Sequence, residues 1–223
     1  MIAKQVIEDL IKAGIKAPSG HNTQPWLFNI VEDGLEIHPD FTRALPVVDG
    51  DNHALYISLG CAAENVVIAA NHTGLHGEVH LASETKASAY VQIHLEKAAT
   101  AQPDALYKYI DRRQSTRNEY TEKPVSPEDL ERLANAFDFP EVRLMLFTAK
   151  EEIQDLRPFI IEGSDRQFAN KAFVDELASW IRFSKSSAKK TGDGIWVSSM
   201  GIPNLGKWIG KFMMKNLVTA KSE

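Results

Sequence analysis

One cysteine, Cys61, in 223 residues excludes an internal disulfide framework. An excess of basic residues is also missing. The 25 Lys and Arg against 30 Asp and Glu leave a net charge of -5, the wrong sign for a surface that gains by releasing counterions from a phosphate backbone. Nucleic acid is therefore not an expected partner, and a small molecule is. No uninterrupted apolar run reaches the ~18 residues that would mark a bilayer span, so membrane contact is not expected. The opening stretch MIAKQVIEDL places Glu8 and Asp9 where a signal peptide would continue its apolar core. The expected location is the cytoplasm. What the chain does contain is 43% hydrophobic residues, enough to bury a core in one large domain or two interlocked halves.

Apolar residues at Ile2, Val6, Ile7, Leu10, Ile11 and Ile15 recur at helical spacing, and Pro18 ends the pattern, which predicts a helix over residues 2–17. Trp26 to Val31 and Leu35 to His38 flank Asp33-Gly34 and predict a β-hairpin turning at that pair. Asp51 and Asn52 are placed to cap a long helix that runs to His72 and ends at Gly74. Its small residues, Gly60, Cys61, Ala62, Ala63, Ala69 and Ala70, predict a central helix closely approached by another backbone. Glu78 to Ala82 and Ala89 to Leu95 read as strands, Asp104 to Arg113 as a helix, and Ser126-Pro127-Glu128-Asp129 as the capped start of another. Glu141 to Phe147 is a strand candidate, and Ala172 to Phe183 a helix with Phe173, Leu177, Trp180 and Ile181 on one side. Lys185 to Gly194 reads as polar and flexible.

Two clusters carry chemistry. Ala17-Pro18-Ser19-Gly20-His21-Asn22-Thr23-Gln24-Pro25-Trp26 joins a helix to a strand and holds many hydrogen-bonding groups between two prolines. Such a loop can present backbone N–H groups and the Asn22 and Gln24 side chains to a flat heteroaromatic ring with alternating donors and acceptors. Ser, Asn and Gly are also the default residues of an ordinary capped loop, and residue types alone leave that reading open. Arg112-Arg113-Gln114-Ser115-Thr116-Arg117 gathers three guanidinium groups and two hydroxyls at a predicted helix end. A phosphomonoester suits them, because forked Arg donors and a hydroxyl satisfy its charge and oxygens. The alternative is a solvated helix end whose arginines face the negative pole of the helix.

The first cluster resembles the A-P-S-x-x-N-x-Q-P-W loop of the flavin-dependent nitroreductase family, and the second resembles that family's R-R-S-x-R phosphate motif. In ordinary members, which are homodimers, the arginine motif comes first; here the order is reversed. The reversal is similar to the fused, Acg-like subgroup, in which two nitroreductase halves share one chain as an internal pseudo-dimer. Asp40 to Arg43, Leu45-Pro46, Asp49 and the Gly60-Cys61-Ala62-Ala63 helix also resemble that subgroup. The resemblance implies an α+β, nitroreductase-like fold with an antiparallel-rich sheet flanked by helices, residues 1–100 forming one half and 101–223 an incomplete second. It implies FMN as cofactor, with Pro18, Ser19, Asn22 and Gln24 along the isoalloxazine ring and Arg113, Ser115 and Arg117, joined by Arg112, on the ribityl phosphate. It further implies an NAD(P)H-dependent oxidoreductase acting on a small electron acceptor such as a nitro compound or quinone, the flavin doing the chemistry so that no catalytic side chain is named. The alternatives are an FMN-sequestering protein without turnover and an interaction module that has lost the cofactor. Compared with the subgroup the chain is short at its C-terminus, implying either a truncated version or a second copy that completes the fold.

Other signals are set aside. His72, His76 and His80 have helical spacing for a metal, but Gly74 and Gly77 interrupt the helix, and no metal site is expected. Asp49-Gly50-Asp51-Asn52 lacks the glycine and glutamate of a calcium loop. Ser186 to Lys189 and Lys190-Thr191-Gly192 spell two penicillin-enzyme motifs, but side by side, where they do not form a site. Ile195 to Asn204 admits a reading as a lid, and Trp208 to Leu217 as a packing helix or, less readily, a membrane-surface helix.

Overall fold

The computed structural model describes residues 2–83, 89–100, 103–115, 117, 120–121, 123–136 and 139–200. The tail from residue 201, including the second half of the lid candidate and the Trp208–Leu217 stretch, lies outside the described residues, as does Thr116.

The architecture is α+β. Helix α1 (Lys4–Gly14) buries Ile7, Leu10, Ala13 and Gly14, the face set by the apolar spacing. Strands β1 (Trp26–Val31) and β2 (Gly34–Pro39) form the expected hairpin, but the register pairs Val31 with Gly34, so the turn is Glu32-Asp33 and not Asp33-Gly34. Gly34 is needed one position later, inside the strand. Its φ is +153°, and a Cβ there would come within 2.0 Å of the Ile93 carbonyl oxygen. Asp33 O accepts from Leu95 N at 2.8 Å, which ties the turn to the next strand.

Helix α2 (His53–His72) buries nine residues between α1 and the sheet. Its cap differs from expectation. Asn52 has φ 61° and makes no side-chain cap bond. The buried Asp49 caps the helix, its carboxylate accepting from Ala54 N (2.8 Å) and Leu55 N (2.9 Å), while Asp51 accepts from His53 N. Ala62, Ala63, Ala69 and Ala70 are buried as the small-residue stripe predicts, whereas Gly60 is exposed with open space around it. By length and composition α2 is apolar enough to cross a bilayer, yet half of its apolar window is buried inside the fold, the pattern of a core helix.

Strands β3 (Leu75–Ser83) and β4 (Ala89–Lys97) complete an antiparallel sheet of order β1-β2-β4-β3. Leu35, Ile37 and Ile93 are fully buried on its inner face against Leu59 and Val66 of α2. This cluster also takes in Ile110 from α3 (Tyr107–Ile110), one turn of the longer helix expected over 104–113.

Helix α4 (Pro127–Ala134) starts as expected, the Ser126 hydroxyl accepting from Asp129 N. The segment Glu141–Phe147 is not a strand: all of it is exposed and no described strand lies alongside to take up its backbone bonds. Helix α5 (Lys150–Ala169) has no counterpart in the sequence reading, because Pro158 and Gly163 interrupt its pattern. Neither α4 nor α5 buries a single residue.

Helix α6 (Lys171–Trp180) ends sooner than expected, and Ile181–Arg182 forms β5, paired in parallel with β6 (Ile195–Trp196). Between them α7 (Lys185–Thr191) replaces the expected flexible stretch; Ser184 caps its start and Gly192, at φ 69°, closes its end. Phe173, Val174, Leu177, Ile181, Phe183, Ile195 and Val197 make a second, smaller core.

Candidate functional site

After α1 the chain turns through Gly20–Asn22 in a conformation that ordinary residues resist. His21, Asn22 and Gln24 have φ of 48°, 54° and 53°. Left-handed backbone at non-glycine residues costs about 1–2 kcal/mol each, so surrounding bonds must hold it. Within the loop, the Ser19 hydroxyl accepts from Gln24 N (2.9 Å) and Thr23 N donates to Gly20 O. From outside it, the turn after α7 grips the loop: Asn22 Nδ2 donates to Gly194 O (2.9 Å), Gly194 N donates to Asn22 O (2.9 Å), and Gln24 Nε2 donates to Gly192 O (2.6 Å).

The arginine segment follows α3 and lies against the end of α1. Arg113 Nη2 donates to Lys16 O at 2.9 Å, and Lys16 pairs with Asp111. Arg117 N donates to Ser199 O at 3.3 Å. Among the described residues the guanidinium of Arg117 and the hydroxyl of Ser115 make no side-chain hydrogen bond, and both residues line the cavity.

These segments enclose one cavity of about 250 Å³. Pro18, Ser19 and Asn22 form one wall; Arg113, Ser115 and Arg117 form the second; Gly194, Ile195, Trp196 and Ser199 form the third. Six of the eight residues singled out in the sequence therefore meet around one space. Gln24 and Arg112 do not line it: Gln24 turns to Gly192, and Arg112 lies on the exposed surface. The third wall is only partly visible in the sequence, where Ile195 to Asn204 stands as a lid candidate. Its described part is fixed by β-pairing and by a turn in which the Ser199 hydroxyl donates to Trp196 O.

Two side-chain nitrogens at this site, Trp196 Nε1 and His21 Nδ1, are buried without a partner among the described residues. A buried polar nitrogen without a partner is costly. Burial pushes the His21 imidazole below its ordinary pKa; Arg117 adds to this and Glu176 opposes it, so the ring is neutral at pH 7. Burial likewise raises the Cys61 thiol, against the pull of Arg113. Burial would also raise the Asp193 carboxyl, but bonds from Arg182, Arg43 and Thr191 outweigh it and hold that carboxyl below the usual range.

His72 stacks on Tyr107 at the end of α2, while His76 and His80 stand on β3; among the described residues no group of three potential ligands converges on a metal position.

No family model matches the chain. Curated proteins from Mycobacterium tuberculosis are similar to it. Over 178 residues it is 28% identical to a Mycobacterium tuberculosis protein named "Putative NAD(P)H nitroreductase", found in strain CDC 1551 / Oshkosh and in strain H37Rv. Two of its relatives are thus named as nitroreductases. That match covers 79% of this chain and 51% of each relative. A third relative from strain CDC 1551 / Oshkosh, with no activity in its name, is 26% identical over 180 residues, covering 79% of this chain and 25% of its own length. The chain therefore spans about half the length of the named relatives it matches. The similarity extends across most of the chain, so the cavity and the named nitroreductases are connected by more than two short motifs.

Proposed function

We propose that the chain binds FMN in the composite cavity and acts as an oxidoreductase of nitroreductase type. The observation that carries this reading is the convergence of Pro18, Ser19 and Asn22 with Arg113, Ser115 and Arg117 around one space, although the two groups lie far apart in sequence.

The donor set fits the cofactor. Arg117 and Ser115 line the cavity with groups that suit a phosphate, and Arg113 has N–H groups beyond the one given to Lys16 O. The Asn22 amide, on the opposite wall, can offer its oxygen to a donor of a flavin ring. A cavity of about 250 Å³ is smaller than most cofactor pockets, so it encloses part of the cofactor and leaves the rest on the open side. When bound, FMN supplies hydride acceptance from NAD(P)H and electron delivery to a small acceptor such as a nitro compound or quinone. The protein's share is orientation: the arginine wall anchors the anionic end, and the strained loop fixes the groups that face the ring. His21, kept neutral by burial, adds no positive charge beside Arg117.

The same reading divides the chain into interlocked halves, residues 1–100 and 101–223, each giving one motif to the site, and has a second copy cover the exposed faces of α4 and α5. A lone thiol and a nicotinamide substrate suit the reducing cytoplasm. Steady-state oxidation of NADPH and NADH with a nitroaromatic or quinone acceptor tests the activity. Turnover that requires added FMN is the expected result. Bound FMN without turnover would replace this reading with a sequestering role.

A further inference from the structure

Asp193 belongs to neither motif, yet it sits where the two sides of the cavity are joined. One carboxylate oxygen, Oδ2, accepts from Arg43 Nη1 at 2.9 Å. The other, Oδ1, accepts from Arg182 Nη2 (2.7 Å) and Nε (3.2 Å). The Arg182 and Asp193 side chains are only 13% and 12% exposed. The Arg43 nitrogen that meets Asp193 also donates to Thr23 O at 2.8 Å, inside the strained loop. On either side of Asp193 in sequence, Gly192 O takes the Gln24 amide, and Gly194 exchanges two hydrogen bonds with Asn22. Gly194 then leads directly into the Ile195-Trp196 wall.

We infer that Asp193 is a positioning residue for the cavity: its carboxylate, clasped between Arg43 and Arg182, holds the Gly192–Gly194 turn against the left-handed loop and so sets the spacing between the Ser19–Asn22 wall and the Trp196 wall. This rests on the proposed FMN-binding reading. The loop cannot keep three left-handed residues by its internal bonds alone, and the partners that hold Asn22 and Gln24 are the backbone groups flanking Asp193. A neutral amide at position 193 leaves two guanidinium groups facing each other with no charge between them, which pushes the turn off the loop. The charged groups at this clasp are Arg43 on the turn after β2, Asp40, whose carboxylate lies 3.6 Å from Arg43 Nε, Arg182 on β5 and, in the adjoining cleft, Glu176 on α6.

Titration of Asp193→Asn and the wild-type protein with FMN and with riboflavin, which lacks the phosphate, tests the inference. A positioning role weakens both ligands in the same proportion, by about tenfold, and the measurement is made at a temperature where the variant is fully folded. Arg117→Ala, in contrast, loses FMN affinity and leaves riboflavin affinity nearly unchanged. Arg182→Lys keeps the charge but loses the forked geometry; it weakens both flavins in equal proportion and by less, and it serves if Asp193→Asn does not fold. Wild-type affinity for either flavin, in Asp193→Asn or in Arg182→Lys where the former does not fold, overturns the inference and leaves the functional reading intact. A loss confined to FMN also overturns it, since that would be an effect on the phosphate alone. If the wild-type protein binds neither flavin, the functional reading fails and this inference falls with it.

Discussion

At the scale of single residues, the site combines the Arg113 and Arg117 guanidinium groups with a histidine whose pKa burial lowers. Removing Arg113 and Arg117 together takes away charged hydrogen bonds worth about 1.5–3 kcal/mol each, so the Arg113→Ala/Arg117→Ala variant is expected to bind FMN at least a hundredfold more weakly in a fluorescence titration. His21 gives a pH dependence whose sign follows from its depressed folded-state pKa. The unfolded chain takes up the proton first as pH falls below about 6.5, so stability is complete above that value and declines as pH drops through the folded-state pKa. The midpoint of thermal unfolding should therefore fall between neutral and mildly acidic pH, and His21→Asn, which tolerates the left-handed backbone, should flatten that limb. An unchanged slope in the variant would remove His21 from the account. The arginines and the Ser19 and Asn22 loop were legible from residue type and from resemblance. Trp196 was visible only as part of the Ile195–Asn204 lid candidate, and Asp193 was not visible at all, because an aspartate after a glycine has no local pattern that reports a partner far away in sequence.

At the scale of elements, long periodic segments were legible and their ends less so. α1, the β1–β2 hairpin, α2 and the start of α4 lie close to where spacing and caps put them. The errors fall where tertiary contacts decide. Gly34 reads as a turn glycine but is required by the approach of the Ile93 carbonyl across the sheet. The cap of α2 reads as Asp51 and Asn52, but Asp49 supplies most of it, from several residues away and with both carboxylate oxygens. Asp49→Ala should cost about 2 kcal/mol, measured by chemical denaturation, with a smaller loss for Asp51→Ala, whose one bond is exposed. Gly194 has φ 76°, and an added Cβ would lie 2.4 Å from Trp180 O. Gly194→Ala is therefore expected to displace the turn and weaken flavin binding along with stability, whereas Gly60→Ala, with nothing within 4 Å, should leave binding unchanged. Equal binding by Gly194→Ala and wild type would contradict the role given to that turn.

At the scale of the whole molecule, one core is well closed and another face is bare. The sheet, α1 and α2 share a continuous cluster, while Phe139, Met145, Phe159 and Ile160 are 65%, 65%, 74% and 67% exposed. Leu144, Phe147, Ile153 and Ile161 are exposed as well, more large apolar side chains than one segment of a monomer usually leaves open. A dimer of the 24.9 kDa chain is expected by sedimentation at micromolar concentration, and Phe159→Glu with Ile160→Glu should shift it to monomer. A monomer at all concentrations would contradict the second-copy reading. α5 was hidden in the sequence because Pro158 and Gly163 interrupt its pattern, and it buries no residue. The central claim, a flavin held between the Pro18–Asn22 loop and the Arg113–Arg117 segment, is tested most directly by titrating the purified protein with FMN while following flavin fluorescence. Saturable, stoichiometric quenching that is lost in the Arg113→Ala/Arg117→Ala variant is the result expected. An absence of quenching in the wild-type protein, or equal quenching in that variant, would contradict it.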